Sequence, residues 1–404
     1  MNILLSTSCA IPSGGGIASY NEELVNLFGR EHSLYLITAS KEENVYGYKE
    51  TVSYYGKDYK TFIYARDILD KIDKWKIDIV INSDCPLIAV LAPYIKVPII
   101  SISHFINGRL ALSAGYNANY LSAIVSLSNY GKDYLIKTYN IKEESKVKVI
   151  YNFVADKEMP FPDNKINRTP LKIVYPGGTS IKKSFEVVMC ALYKLLKTNL
   201  NFKFIWLGNT LLPSAKFSKH KDLRQFFEDD NRLEIKGKVS REEAIHYIEQ
   251  ANIFLLPSRG EGCPMTLLEA MRAGCIPIVS DAKHGSVEIL QSGKFGKIVK
   301  QGSSTSLFDA IEDILVNHGN YINDYKNTFT YSRNMLSQNI WAQQMKNLFL
   351  TVRSHSKEYK ILEEEDYALN WKNFDKRLKK ERCKEQFDSL VCRLYLEYLY
   401  YFIK

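Results

Sequence analysis

At 404 residues the chain is about twice as long as one hydrophobic core comfortably organises, so two domains of ordinary size are expected. A composition of 46% hydrophobic and 25% charged residues excludes a disordered chain, and the net charge of +9, from 54 basic and 45 acidic residues, favours anionic ligands or an anionic lipid surface without demanding either. The seven cysteines, at positions 9, 85, 190, 263, 275, 383 and 392, are scattered, odd in number and free of any CxxC pair, which speaks against a disulfide framework and a zinc site alike.

From Met1 the chain runs straight into an apolar segment, without the ordered basic, apolar and small-residue sections of a signal peptide. No stretch approaches the roughly eighteen apolar residues of a membrane span. A cytoplasmic protein is expected, with peripheral contact with the cytosolic face of the inner membrane left open. Short runs rich in Val, Ile, Leu and Tyr follow at 3–5, 34–37, 79–81, 98–102, 124–127 and 147–151. Mostly apolar rather than alternating, they suit strands buried on both faces of a parallel sheet. A polar stretch at 155–170, holding Pro160, Pro162 and Pro170, reads as a linker.

A second series of runs, at 172–175, 202–207, 233–235, 253–256 and 276–279, is separated by helical patterns such as 184–197. Two α/β domains in tandem are therefore predicted, over 1–154 and 171–350. Residues 351–404 differ in character: acidic at 363–366, mainly basic at 372–384, and dense in Leu and Tyr at 390–403. They predict a helical extension whose stripe of Leu394, Tyr398 and Phe402, beside Tyr395 and Leu399, packs on the N-terminal domain or a partner subunit in preference to a membrane surface. An oligomer formed through these helices stays open.

The segment 253–280, IFLLPSRGEGCPMTLLEAMRAGCIPIVS, carries the most chemistry. A strand ends at Pro257, a glycine loop follows, a helix runs from about Met265 to Ala273, Gly274 caps it, and another strand begins. Ligands of open α/β sheets sit at such strand-to-helix loops. Amides of Met265, Thr266 and Leu267 at the helix start, behind Gly262, Cys263 and Pro264, are expected to be free to hold a diphosphate. Glu269 lies one turn into the helix and leans back towards the loop that carries Glu261, so both carboxylates are expected to grip hydroxyl pairs of one ligand.

This segment resembles the signature of the retaining glycosyltransferases of the GT-B fold, family four (glycosyl transferases group 1). The resemblance covers about residues 1–350 and implies two Rossmann-like parallel-sheet domains facing a cleft, with a nucleoside diphosphate sugar held by the second. It assigns the donor sugar to Glu261 and the nucleotide ribose to Glu269. In Tyr175-Pro-Gly-Gly-Thr-Ser-Ile-Lys-Lys-Ser-Phe185, Lys183 matches the family's lysine on the donor phosphates, while Gly178 stands where an arginine is usual; Lys182 is an alternative cation. Gly14, Gly15 and Gly16 match the glycine loop beside the donor diphosphate and the acceptor. Their spacing lacks GxGxxG, and 38–40 offers no acid for a dinucleotide enzyme. His104 matches a histidine near the reacting sugar, and Glu288 a glutamate near the donor. Ser128 and Asn152 match the family pattern as structural residues.

Lys183, Glu261 and His104 are thus the expected catalytic residues. The resemblance implies transfer of a sugar to a hydroxyl of a saccharide or lipid-linked saccharide, with retention, in bacterial surface polysaccharide or lipopolysaccharide synthesis. With cations and helix dipoles opposing the diphosphate, neither a metal nor another cofactor is expected. An epimerase or inverting transferase of the same fold, or a catalytically silent module of an assembly complex, remain the alternatives. A nucleic-acid partner is not expected, since the basic residues are dispersed and no recognition motif is present.

Overall fold

The computed structural model describes residues 1–8, 16–41, 47–58, 60–106, 108–154, 161–178, 180–208, 230–354 and 357–403, with 164 and 385–403 as backbone alone. The chain divides into two compact units, one formed by Met1–Asn152 with Asn339–Gln386, the other built on Phe153–Gln338.

The first unit holds a seven-stranded sheet made of β1 (Asn2–Thr7), β2 (Ser33–Thr38), β3 (Glu50–Ser53), β4 (Ile79–Ser83), β5 (Ile99–Ser103), β6 (Ala123–Ser126) and β7 (Val147–Val149). All neighbours pair in parallel, in the order β3-β2-β1-β4-β5-β6-β7. The second unit repeats this plan with β8 (Leu171–Tyr175), β9 (Phe202–Leu207), β10 (Leu233–Gly237), β11 (Ile253–Leu256), β12 (Ile276–Ser280) and β13 (Lys297–Val299), in the order β10-β9-β8-β11-β12-β13. Both are Rossmann-like sheets. The apolar runs became central strands because helices cover both faces: every residue of β4, β5, β11 and β12 is buried.

Each strand order reverses once, between β1 and β4 and between β8 and β11. There the connections leave in opposite directions, and their loops part to leave a crevice at the carboxyl ends of the strands. Two edge strands are absent from the predicted series. In β3, Glu50–Ser53, no residue is fully buried, and in β13 only Val299 is, so neither shows the continuous apolar run of a central strand.

The segment Asn339–Gln386 groups with the first unit, while Phe387–Lys404 groups with the second. The helix Gln338–Arg353 buries Trp341, Met345, Leu348, Phe349 and Val352, and its aromatic residues meet the first unit. The Trp341 ring stands edge-on to Tyr20 at 5.4 Å and lies 5.8 Å from Phe28. The long helix Glu364–Ile403 then sets Tyr367, Trp371 and Phe374, at helical spacing on one face, into the same unit's core. Tyr116 donates a hydrogen bond of 2.8 Å to Asn370 Oδ1, and Asn370 Nδ2 donates to the Val90 carbonyl at 2.7 Å. The predicted stripe of Leu394, Tyr395, Tyr398, Leu399 and Phe402 lies on the helical backbone, but its side chains fall outside the described residues.

Candidate functional site

The second switch point brings Lys183 and Glu261 together. After β8 the chain passes through Pro176, Gly177 and Gly178 into a short 3-10 turn, Ile181–Lys183. Gly177 is required, because a Cβ there would sit 2.2 Å from the Tyr175 ring, which folds back under the loop. The buried Tyr175 hydroxyl donates to the Lys183 carbonyl at 3.1 Å and fixes the turn. Gly178 adopts φ +52°, donates its amide to the Leu207 carbonyl at 2.9 Å, and accepts from Trp206 Nε1 at 3.1 Å. An arginine at 178 would have to adopt this left-handed backbone, which suits glycine far better.

From the loop after β11, Glu261 Oε1 accepts a hydrogen bond from Lys183 Nζ at 2.5 Å. Only 9% of the Glu261 side chain is exposed, against 31% for Lys183, so the carboxylate is held in place while the ammonium faces outward. Behind Glu261, the buried His284 imidazole accepts from the Ser286 amide at Nδ1 (3.2 Å), which places its proton on Nε2, facing Ser280 Oγ at 3.2 Å. Burial lowers the His284 pKa, keeping the ring neutral behind the glutamate. Glu288, in the short helix Gly285–Ile289, is half-buried.

Loop and turn are tied together by a second ion pair. The Arg259 amide donates to the Lys182 carbonyl at 2.9 Å, and its guanidinium pairs with Glu186, whose carboxylate is wholly buried. Glu186 also sits in the first turn of the helix Phe185–Leu196, where the helix dipole favours an acid. Arg259→Ala should leave a buried carboxylate without its counter-charge and cost about 2 kcal/mol of stability, discounted because the guanidinium is partly exposed. Adding Glu186→Leu should recover much of that loss, read as the urea midpoint of the double variant.

The helix Met265–Arg272 begins after Pro264, which offers no side-chain cap. One expectation is corrected here. The Leu267 amide donates to the Pro264 carbonyl at 3.0 Å, so it is not free for an anion; the last orphan donor has been taken up by a tightened first turn. Met265 and Thr266 keep open amides among the described residues, behind Gly262 and the buried Cys263. Glu269 lies further along and pairs with Arg241 Nη2 at 3.2 Å, its side chain only 10% exposed. Sequence reasoning missed Arg241, which opens the helix Arg241–Gln250 behind a Ser240–Glu243 capping box.

In the first unit, Gly14 and Gly15 lie outside the described residues, and Gly16 opens the helix Gly16–Phe28. His104 follows β5. Its Nε2 lies 2.7 Å from Ser83 Oγ and its ring is edge-on to Tyr20 at 4.9 Å; burial pushes its pKa down to about 3, so it is uncharged at neutral pH. Ser128 caps the helix Asn129–Tyr139 by accepting from the Gly131 amide at 3.0 Å, a structural role, and Asn152 is buried.

Comparison with known proteins shows the family. The family described as Glycosyltransferase Family 4 matches residues 14–158, and Glycosyl transferases group 1 matches 156–334. The chain belongs to the family-four glycosyltransferases. It is 33% identical over 146 residues to the amylovoran biosynthesis glycosyltransferase AmsK of Erwinia amylovora, across 34% of either chain. It is 26% identical over 219 residues, 46% of this chain and 57% of the relative, to the N,N'-diacetylbacillosaminyl-diphospho-undecaprenol alpha-1,3-N-acetylgalactosaminyltransferase of Campylobacter jejuni. The chain thus spans between a third and somewhat over half of the length of these curated relatives. Among solved structures, HepE of Anabaena in complex with UDP is similar at a TM-score of 0.69 and 14% identity, over 87% of this chain and 99% of that one, a likeness of the GT-B glycosyltransferase fold. Segments 175–185 and 253–280 both fall within the Glycosyl transferases group 1 match.

Proposed function

We propose that this chain moves a glycosyl group from a nucleoside diphosphate sugar to a hydroxyl of a saccharide or lipid-linked saccharide, with retention of anomeric configuration, in the synthesis of a bacterial surface polysaccharide or lipopolysaccharide. The observation that carries the reading is the Lys183–Glu261 contact of 2.5 Å at the β8/β11 switch point, with the start of the helix that bears Glu269 directly following the loop. Membership of family four, the relatives' polysaccharide and lipid-linked chemistry, and the UDP held by HepE support it.

In this reading the diphosphate sits against the Met265 and Thr266 amides and draws Lys183 Nζ, Glu261 accepts hydrogen bonds from the donor sugar, and Glu269 from the nucleotide ribose. The bond between the anomeric carbon and the diphosphate oxygen breaks, its electron pair leaving with the diphosphate. The acceptor oxygen bonds to that carbon on the same face, and its proton passes to the departing diphosphate. Lys183 and the helix start stabilise the charge that develops, so no metal is required for this step. The same proposal places the protein in the cytoplasm, peripheral on the inner membrane; among the described residues no helix is long and apolar enough to cross a membrane.

A thermal-shift panel of UDP, GDP, ADP, CMP and dTDP sugars tests this, since a ligand that binds only the folded state raises the melting temperature. One nucleotide class should shift the midpoint by several degrees at about a hundred times its Kd, a stabilisation of about 2.7 kcal/mol. A flat panel would remove the proposed activity.

A further inference from the structure

At the switch point of the first sheet, five side chains form an unbroken hydrogen-bonded line. His104 Nε2 lies 2.7 Å from Ser83 Oγ, Ser83 Oγ 2.8 Å from Asn21 Oδ1, Asn21 Nδ2 3.2 Å from Thr7 Oγ1, and Thr7 Oγ1 3.2 Å from Asp84 Oδ1. All five are buried: Thr7, Asn21 and Ser83 completely, Asp84 to within 1% and His104 to within 8%. They come from the ends of β1, β4 and β5, from the helix Gly16–Phe28, and from Asp84, which follows β4 at φ +64°. Buried polar groups must satisfy one another, so the orientation of each member constrains the next.

The direction of the line is set at its carboxylate end. Asp84 Oδ1 also receives the Ser8 amide at 3.3 Å, and an amide N–H only donates, so this oxygen is an acceptor. Thr7 has one hydroxyl proton and directs it to Asp84. Its oxygen then accepts from the Asn21 amide NH₂, which turns Asn21 Oδ1 towards Ser83 and takes the serine's only proton. Ser83 Oγ is left as an acceptor, and the donor to it is His104 Nε2–H. The ring's remaining nitrogen, Nδ1, carries a lone pair and makes no hydrogen bond among the described residues.

We propose that Asp84, acting through Thr7, Asn21 and Ser83, is the positioning residue that locks His104 in its Nε2–H tautomer and so presents Nδ1 as a neutral acceptor for a sugar hydroxyl. That substrate role rests on the transferase reading above; the tautomer does not. An imidazole held this way accepts a hydrogen bond from a hydroxyl and excludes a competing donor tautomer, which would meet the same hydroxyl with an N–H. Asp84 touches no substrate in this arrangement. It acts by breaking the symmetry of a line that would otherwise run in either direction.

Histidine-selective ¹⁵N labelling of the full chain tests the assignment, with the His104 signals identified by their loss in His104→Gln. Long-range ¹H–¹⁵N correlation should show His104 Nε2 protonated and Nδ1 unprotonated in the unliganded wild type. Thr7→Val, which cuts the line beside the carboxylate, and Asp84→Asn, which lets it reverse, should both move the two nitrogens towards a tautomer mixture. Turnover should fall about tenfold, with the donor KM changed less than about twofold, the signature of an interaction that is misaligned rather than lost. A wild-type His104 protonated on Nδ1 overturns the proposal, and that measurement needs no variant to fold. Unmoved nitrogen shifts in both variants, or moved shifts with unchanged turnover, overturn it too. The shifts are read without substrate, so a chain that failed to transfer any sugar would still report whether the tautomer is locked.

Discussion

Glu269→Ala should raise the donor KM about a hundredfold while leaving kcat within about threefold of wild type, because in the proposed reading the carboxylate it removes grips the part of the donor that does not react. The side chain is nine-tenths covered, so the hydrogen bonds proposed to a ribose diol would form with little competition from water. Two such bonds to a charged group contribute about 3 kcal/mol together, near a hundredfold in affinity. Glu269→Gln should fall between the two, since an amide oxygen still accepts one hydroxyl. The alanine variant also removes the ion pair with Arg241, 3.2 Å away, whose guanidinium is a third exposed. Steady-state kinetics at varied donor concentration separates the outcomes: a fall in kcat as large as the rise in KM would move Glu269 from the ribose to the reacting centre.

Lys183→Ala should do the opposite and lower kcat about a thousandfold, with a smaller rise in KM, because in the proposed reading it removes a cation from the point where negative charge appears as the diphosphate departs. Lys183 Nζ lies 2.5 Å from Glu261 Oε1, and its carbonyl is pinned by Tyr175, so the ammonium is held beside the loop after β11. Its loss also leaves the mostly buried Glu261 carboxylate without its ammonium partner. Lys183→Met, which keeps the apolar stem but not the charge, should therefore be as slow as the alanine variant. Lys183→Arg should recover only part of the rate, since the planar guanidinium does not reproduce a point charge in a narrow turn. Single-turnover measurement at saturating donor gives the chemical step directly.

Much of this arrangement is legible in the sequence, and the gaps have physical causes. Central strands such as β4 and β11 announce themselves because parallel strands covered on both faces are apolar over most of their length. The edge strands β3 and β13 do not, since one flank faces water and Glu50 or Lys297 is tolerated there. The segment 253–280 located Glu261 and Glu269 correctly on a loop and a helix, because glycine, proline and helix periodicity are local signals. Their partners were invisible for the converse reason: Arg241 is 28 positions from Glu269, and Arg259 is 73 from Glu186. No periodicity encodes such a pairing.

Likewise, an apolar face on the helix Gln338–Arg353 shows that something will be covered, not that Trp341 will meet Tyr20 and Phe28 in the first unit. The Leu267 amide was misjudged because a helix start can tighten and satisfy one of its own donors. His104 stood out only by resemblance. The line of Ser83, Asn21, Thr7 and Asp84 behind it joins residues up to 77 positions apart, each unremarkable in its local sequence.

Isothermal titration of nucleoside diphosphates into the wild type and Glu269→Ala tests the central claim most directly, that the corner between β8 and β11 holds a nucleotide-linked sugar. One diphosphate should bind the wild type with measurable heat at a single site, and the same titration into the variant should show affinity about a hundredfold weaker. Equal affinity in the two proteins, or no heat from any of the nucleotides, would contradict it.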